Sequence, residues 1–212
     1  MFDSHFHLFS GTSFVGDTEN FGFTVGIHPE FAHTFNEKDF LHFVENNKDN
    51  PKFYAIGECG LDYHRPDLPS LDIQEKVFIR HIEIANLYNK PLVIHSRDAY
   101  RDTLKILKEH KPKNEFLLHC MSYDVEFARE FPDAYFSIGW FITVKKYKDM
   151  LEKVVRFIPR DKIVIETDAP YLAPRHDKIK EVAKRVGEIL GMTAKEAEEL
   201  TASNAKRFFR CL

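Results

Sequence analysis

Six residues able to hold or activate a cation stand at or near the ends of apolar runs in this chain: His5, His7, Glu58, His95, His119 and Asp168. The most telling run is Ala55-Ile56-Gly57-Glu58-Cys59-Gly60, where an acid sits between two glycines just as a buried strand would end. A carboxylate is almost never fully buried unless it is paired or bound to a cation. An ion pair with Arg65 or Arg97 would satisfy Glu58 on its own. Other runs repeat the pattern: Pro91 to Ile94 is followed by His95, Phe116 to Leu118 by His119, and Ile163 to Thr167 by Asp168. Phe2 to Leu8 reads as a strand with Asp3, His5 and His7 on one face. Four imidazoles and two carboxylates suit Zn²⁺, Mn²⁺ or another divalent ion. Six ligands exceed one tetrahedral site, so a two-metal centre is expected. Cys59 and Cys120 each follow a proposed ligand and therefore face the other way in an extended chain.

Strands and helices must alternate to bring these ends together. Phe9 to Phe21 has no helical periodicity and reads as a loop. Gly22 to Ile27 is a second strand, closed by His28-Pro29, where the proline holds His28 extended. The remaining strands fit Phe53 to Ile56, Pro91 to His95, Phe116 to His119, Tyr135 to Gly139 and Ile163 to Asp168. Helical periodicity fits 37–47, 71–89, 99–110, 123–131, 148–157, 179–190 and 194–208. Thr193-x-x-Glu196 opens the last of these as a capping box. Such alternation predicts an α/β fold of parallel strands wrapped by helices, with functional residues at the carboxyl ends of the strands. No linker or repeat interrupts residues 1–212, which are expected to form one domain.

Composition narrows the classes of partner. At 43% hydrophobic and 30% charged the chain is an ordinary globular one. A net charge of −3 supplies no global basic field for nucleic acid. Three cysteines, an odd number without framework spacing, fit a reducing compartment. No run is apolar and long enough to span a membrane, and Met1 to His5 lacks the features of a signal peptide, so a soluble, cytoplasmic protein is expected.

The ordered motifs resemble those of the TatD-like metal-dependent deoxyribonucleases of the amidohydrolase superfamily. They are Asp-Ser-His-Phe-His-Leu, Gly-Ile-His-Pro, Ile-Gly-Glu-Cys-Gly-Leu-Asp-Tyr, Ile-His-Ser-Arg-Asp-Ala, Glu-Thr-Asp-Ala-Pro-Tyr-Leu and the closing Asn204 to Phe209. The resemblance runs from residue 2 to about 209. It implies a TIM-type (β/α) barrel and phosphodiester hydrolysis, often 3′-to-5′ exonucleolytic. It also implies two divalent ions (Zn, Mn, Mg, Ni or Co), with His5, His7 and Asp168 on one, His95 and His119 on the other, and Glu58 bridging. The implied substrate is nucleic acid, single-stranded DNA ends foremost and RNA as an option.

Three departures bear on that expectation. The family usually has a helix, strand and helix between the first strand and Gly22, and here only Phe9 to Phe21 is available, barely the ~10–12 residues of a minimal crossover. A truncated barrel of about seven strands is therefore expected. A family glycine after the fifth ligand is replaced by Tyr123, and an Arg-Asn-Glu-Pro segment is shortened to Pro174-Arg175-His176-Asp177. The expected mechanism uses a metal-activated water with Asp168 handling its proton, and His28, His64 and Arg97 as substrate contacts. Trp140 and Phe141 are candidates to stack on a base, and Lys145, Lys146 and Lys148 read as a solvated helix start. A small-molecule amidohydrolase or phosphoesterase would use the same metals. A non-catalytic binding protein is the remaining alternative.

Overall fold

From Phe21 onward strand and helix alternate, and each strand after the one that begins there runs parallel to its predecessor. The computed structural model describes residues 2–9, 12–16 and 21–211, with side chains for 2–5 and 21–211. Among them the strands are β1 (Asp3–Phe9), β2 (Thr12–Gly16), β3 (Phe21–Val25), β4 (Phe53–Asp62), β5 (Leu92–Arg97), β6 (Phe116–Leu118), β7 (Tyr135–Ile138) and β8 (Ile163–Ile165). The helices are α1 (Glu37–Asn47), α2 (Leu71–Leu87), α3 (Tyr100–His110), α4 (Val125–Arg129), α5 (Lys145–Phe157), α6 (Ile179–Leu190) and α7 (Ala194–Phe209). The strands form one sheet in chain order. It curls until β1 approaches β8, where Ser4 Oγ donates to Ile165 O at 2.8 Å and Asp168 N to His5 O at 3.0 Å. The six parallel strands β3 to β8 make this a barrel-type α/β fold.

The sequence predicts seven strands and the sheet has eight. The segment read as a loop carries β2, antiparallel to both β1 and β3. It is too short for a helical crossover but long enough for a strand laid back on its neighbour. Reversing direction twice leaves β1 parallel to β3, so β1 opens at the same end of the barrel as the strands that follow.

Side chains divide by face. Outward-facing Ile56, Cys59, Leu61, Ile94, Leu118, Phe136 and Ile165 pack with helix residues such as Phe78, Ile82, Ile106, Leu151 and Val182. Burying each such large side chain is worth roughly 1.5–3 kcal/mol. On the other face Ala55, Val93, Leu117, Tyr135 and Val164 meet Phe208 and Phe209 of α7, which fills the floor of the barrel. Asn204 ties that helix down, its Nδ2 donating to Arg160 O and Ile163 O, both at 2.7 Å. The predicted capping box is formed: Glu196 N donates to Thr193 Oγ1 at 3.2 Å, and Thr193 N to Glu196 Oε2 at 2.7 Å. Lys145, Lys146 and Lys148 lie in the opening turns of α5. Among the described residues no helix is long and apolar enough to cross a membrane.

Candidate metal centre

The inner face of the sheet delivers the chemistry by simple alternation. Two residues beyond inward Val93 comes His95, two beyond Leu117 comes His119, and two beyond Val164 comes Glu166. Strand β4 would break this rule without an irregularity. Counting in twos from inward Ala55 would turn Cys59 inward and Glu58 out. Between Ile56 and Cys59, however, three steps on β4 oppose two on β5, from Leu92 to Ile94. This bulge inverts the parity. Glu58, Gly60 and Asp62 now face the interior, and Cys59 joins the outer core with its thiol 3.7 Å from Val93 O. The glycines are required there: a Cβ on Gly57 would lie 2.3 Å from Val93 O, and one on Gly60 would lie 1.9 Å from His95 O. Asp168, three residues beyond the end of β8, lies in the left-handed region (φ +49°), which Asp tolerates better than most residues.

Glu58 is the hub. Its Oε1 lies 2.8 Å from His95 Nδ1, 3.3 Å from His119 Nε2 and 3.5 Å from His28 Nε2. Its Oε2 lies 3.1 Å from His5 Nε2. His5 Nε2 is 3.7 Å from Asp168 Oδ1, and the rings of His5 and His119 are 4.1 Å apart. Two triads of donor atoms result, each within 4.8 Å of one another: His5, His119 and Asp168, and His28, Glu58 and His95. Two donors bound to one ion at about 2.1 Å in tetrahedral geometry sit roughly 3.4 Å apart. The spacing and the mixed imidazole–carboxylate donor set therefore fit divalent cations. The structure groups His119 with His5 and Asp168, where the family resemblance paired it with His95. The side chain of His7 lies outside the described residues.

Carboxylates that the sequence reading passed over brace the histidines from behind. Fully buried Glu166 places Oε1 3.0 Å from His119 Nδ1, and Asp62 Oδ2 lies 3.0 Å from His95 Nε2. The signal for Glu166 was present, since it continues the inward parity of Val164, whereas Asp62 reaches the interior only through the bulge in β4. Burial opposes charge on His119, but Glu166 and Glu58 raise it well above the usual imidazole range. Burial likewise opposes ionisation of Glu58, yet His119 and His28 hold it well below the ordinary carboxylate range. His28 is pushed down to about 4 by burial, against the pull of Glu58. Asp3 clamps the seam between first and last strands, accepting from Thr167 N at 3.0 Å and Thr167 Oγ1 at 2.5 Å, and burial raises it to about 8.

A cavity of about 520 Å³ opens over these groups. His28, Glu58, His95, Arg97, His119 and Asp168 line it, with Arg65, Phe31 and Tyr171 nearer the mouth. Arg65 pairs with Glu30 there. Two expected substrate contacts fare differently. Arg97 and His28 line the cavity, whereas His64 does not and pairs with Asp98 at 2.8 Å. Trp140 and Phe141 do not line it either, because they pack into the outer core, Phe141 against Tyr147. Phe31 and Tyr171, which the sequence reading did not single out, are the aromatics at the mouth, 45% and 65% exposed. Tyr123 is half-buried, its hydroxyl 3.1 Å from Ser96 Oγ and accepting from Ala99 N at 2.9 Å. Arg175 pairs with Asp177 on the surface.

The sequence model for TatD related DNases matches residues 12–210. The chain belongs to this family. The metal-dependent hydrolase YabD of Bacillus subtilis is 39% identical over 197 residues, covering 88% of this chain and 76% of its own. YcfH of Escherichia coli K12, also a metal-dependent hydrolase, is 33% identical over 209 residues, 92% of this chain and 76% of its own. The human 3′-5′ RNA nuclease TATDN2 is 38% identical over 157 residues, which is 71% of this chain and 20% of that protein. The crystal structure of the TatD homologue YJJV from Escherichia coli K12 shares the fold, with a TM-score of 0.79 at 22% identity over 89% of this chain and 76% of that one. This TatD-family protein is accordingly a metal-dependent hydrolase, and its cavity holds a donor set suited to the metal.

Proposed function

We propose that this protein is a phosphodiesterase acting on the ends of single-stranded nucleic acid, DNA or RNA, with two divalent ions held by His5, His7, Glu58, His95, His119 and Asp168. The observation that carries the reading is Glu58, a buried carboxylate within 3.5 Å of nitrogens from four imidazoles. It lies at the base of a cavity whose wall carries Arg97. Bound divalent ions supply Lewis-acid chemistry, lowering the pKa of water toward 7 and neutralising phosphoryl charge. Asp168 takes the proton of the attacking water and passes it to the leaving oxygen. Glu58 holds the two halves of the donor set together. Arg97 offers a planar fork of donors to a phosphate beside the one being cleaved. A barrel mouth admits a single strand more readily than a duplex, and the 3′-5′ RNA nuclease among the relatives supports RNA beside DNA.

The test is a metal-replete screen of labelled single-stranded DNA, single-stranded RNA and small esters or lactones. Oligonucleotides shortened from one end are the expected products. Turnover of the lactones or esters alone would overturn the reading in favour of a small-molecule amidohydrolase. Asp168→Asn is expected to lose at least about a hundredfold in rate while keeping much of its metal. Glu58→Ala is expected to weaken both metal sites, and normal binding of two ions by that variant would refute the bridging role.

A further inference from the structure

Three histidines besides His5 surround Glu58, and they do not present the same atom to it. Behind His119 stands Glu166, 3.0 Å from Nδ1, and behind His95 stands Asp62, 3.0 Å from Nε2. Asp62 is hydrogen-bonded to His95 Nε2, and a carboxylate so placed takes that N–H and leaves a lone pair on the nitrogen facing inward, the arrangement a metal ligand needs. Glu166 stands behind His119 without closing a hydrogen bond. His28 is built the other way round. The backbone N–H of Glu30 donates to His28 Nδ1 at 3.2 Å. A nitrogen accepting a hydrogen bond carries no proton, so the neutral ring bears its proton on Nε2. That is the nitrogen facing Glu58 Oε1 at 3.5 Å.

The backbone enforces this tautomer. His28 caps the 3-10 turn Pro29–Thr34, with Pro29 at its first position, and the Glu30 N–H is one of the donors such a turn leaves without an internal partner. The preceding residue is pinned as well. Ile27 N donates to His81 Nε2 at 3.0 Å, and His81 Nδ1 donates to Val77 O at 2.7 Å. By distance alone His28 groups with Glu58 and His95 as a possible metal ligand. Its proton says otherwise. We propose that His28 donates a hydrogen bond through Nε2 to a phosphoryl oxygen of the substrate and is not a metal ligand. The role rests on the phosphodiesterase reading above. His28 lies in the cavity wall, where its Nε2–H can bind an anionic oxygen.

The test uses Mn²⁺-loaded protein and inorganic phosphate as the probe, so it does not depend on turnover. Glutamine places an amide N–H near the position of the histidine Nε2, and alanine places nothing there. Both His28→Ala and His28→Gln are expected to bind Mn²⁺ with wild-type stoichiometry and affinity, within about threefold, by calorimetric titration. Phosphate affinity is expected to fall about tenfold or more in His28→Ala, since a hydrogen bond to a charged group is worth roughly 1.5–3 kcal/mol. It is expected to return to within about threefold of wild type in His28→Gln. Loss of one Mn²⁺ equivalent in both variants would make His28 a ligand and overturn the proposal. Unchanged phosphate binding in His28→Ala, or no phosphate binding by the wild type, would refute the donor role. Failure of the phosphodiesterase reading shows separately, as a wild-type protein that cleaves no phosphodiester.

Discussion

His81 is a fully buried imidazole whose two nitrogens are both committed, one accepting from Ile27 N and the other donating to Val77 O. The rings of Phe35 and Phe40 pack on it, with centroids 5.3 Å and 4.7 Å away. Burial lowers its pKa from 6.5 to about 4, opposed in part by the hydrogen bond to Val77. The folded protein therefore keeps His81 neutral where the unfolded chain protonates it. Stability from this residue is fully present above about pH 6.5 and is lost as pH falls toward 4. At about 1.4 kcal/mol per pKa unit, the gap between 6.5 and about 4 amounts to roughly 3 kcal/mol. That is a large share of the roughly 5–15 kcal/mol that holds a domain together. The perturbation is His81→Gln, which removes the titration but keeps polar atoms. Urea unfolding of both proteins at steps from pH 7 to pH 4 is the assay, with chelator present so that metal binding does not enter. The variant is expected to be less stable at pH 7, with a gap that shrinks by about 3 kcal/mol as the pH reaches 4. Parallel stability curves would show that His81 is not held neutral, and would remove the support this ring gives to Ile27 and His28.

Glu166→Gln is expected to weaken metal binding about 10- to 100-fold, because His119 loses the buried carboxylate charge 3.0 Å behind its ring; metal titration checks this, and unchanged affinity would make Glu166 a mere packing residue. Asn204→Ala strands two carbonyls that now share one amide, and is expected to cost about 1–3 kcal/mol by denaturant unfolding while activity per folded molecule stays the same. Phe31→Ala and Tyr171→Ala are each expected to weaken binding of a short single-stranded oligonucleotide by roughly 1–3 kcal/mol per lost stack, measured by fluorescence anisotropy, with hydrolysis of a small aryl phosphodiester unaffected. With few phosphates contacted, oligonucleotide affinity is expected to fall only shallowly with salt, and a steep slope would imply a larger basic surface than the cavity shows.

Periodicity and local chemistry are written in the sequence. The helices read from 3.6-residue spacing are found within a few residues of their predicted ends, and Thr193 with Glu196 forms the cap its spacing announces. The end of an apolar run is not always the strand's end, since β4 continues through Glu58 to Asp62 and β5 through His95 to Arg97. The parallel strands were legible all the same, because most begin as a short apolar run followed by a polar residue. Hence Glu58, His95, His119 and Asp168 could be named before any coordinates. Three things were decided only by tertiary structure. The segment around Thr12–Gly16 is a strand because β1 and β3 offer it hydrogen-bonding edges on both sides, and nothing in its own residues calls for one. The inward turn of Glu58 depends on a bulge, and a bulge is a property of the pairing between β4 and β5. The roles of Glu166, Asp62 and His28 depend on which group stands behind each ring, a relation between residues about 30 to 50 apart in two cases and two apart in the third. A sequence lists which side chains can donate or accept protons, whereas the direction of each hydrogen bond is set by what the fold places on the far side of the ring.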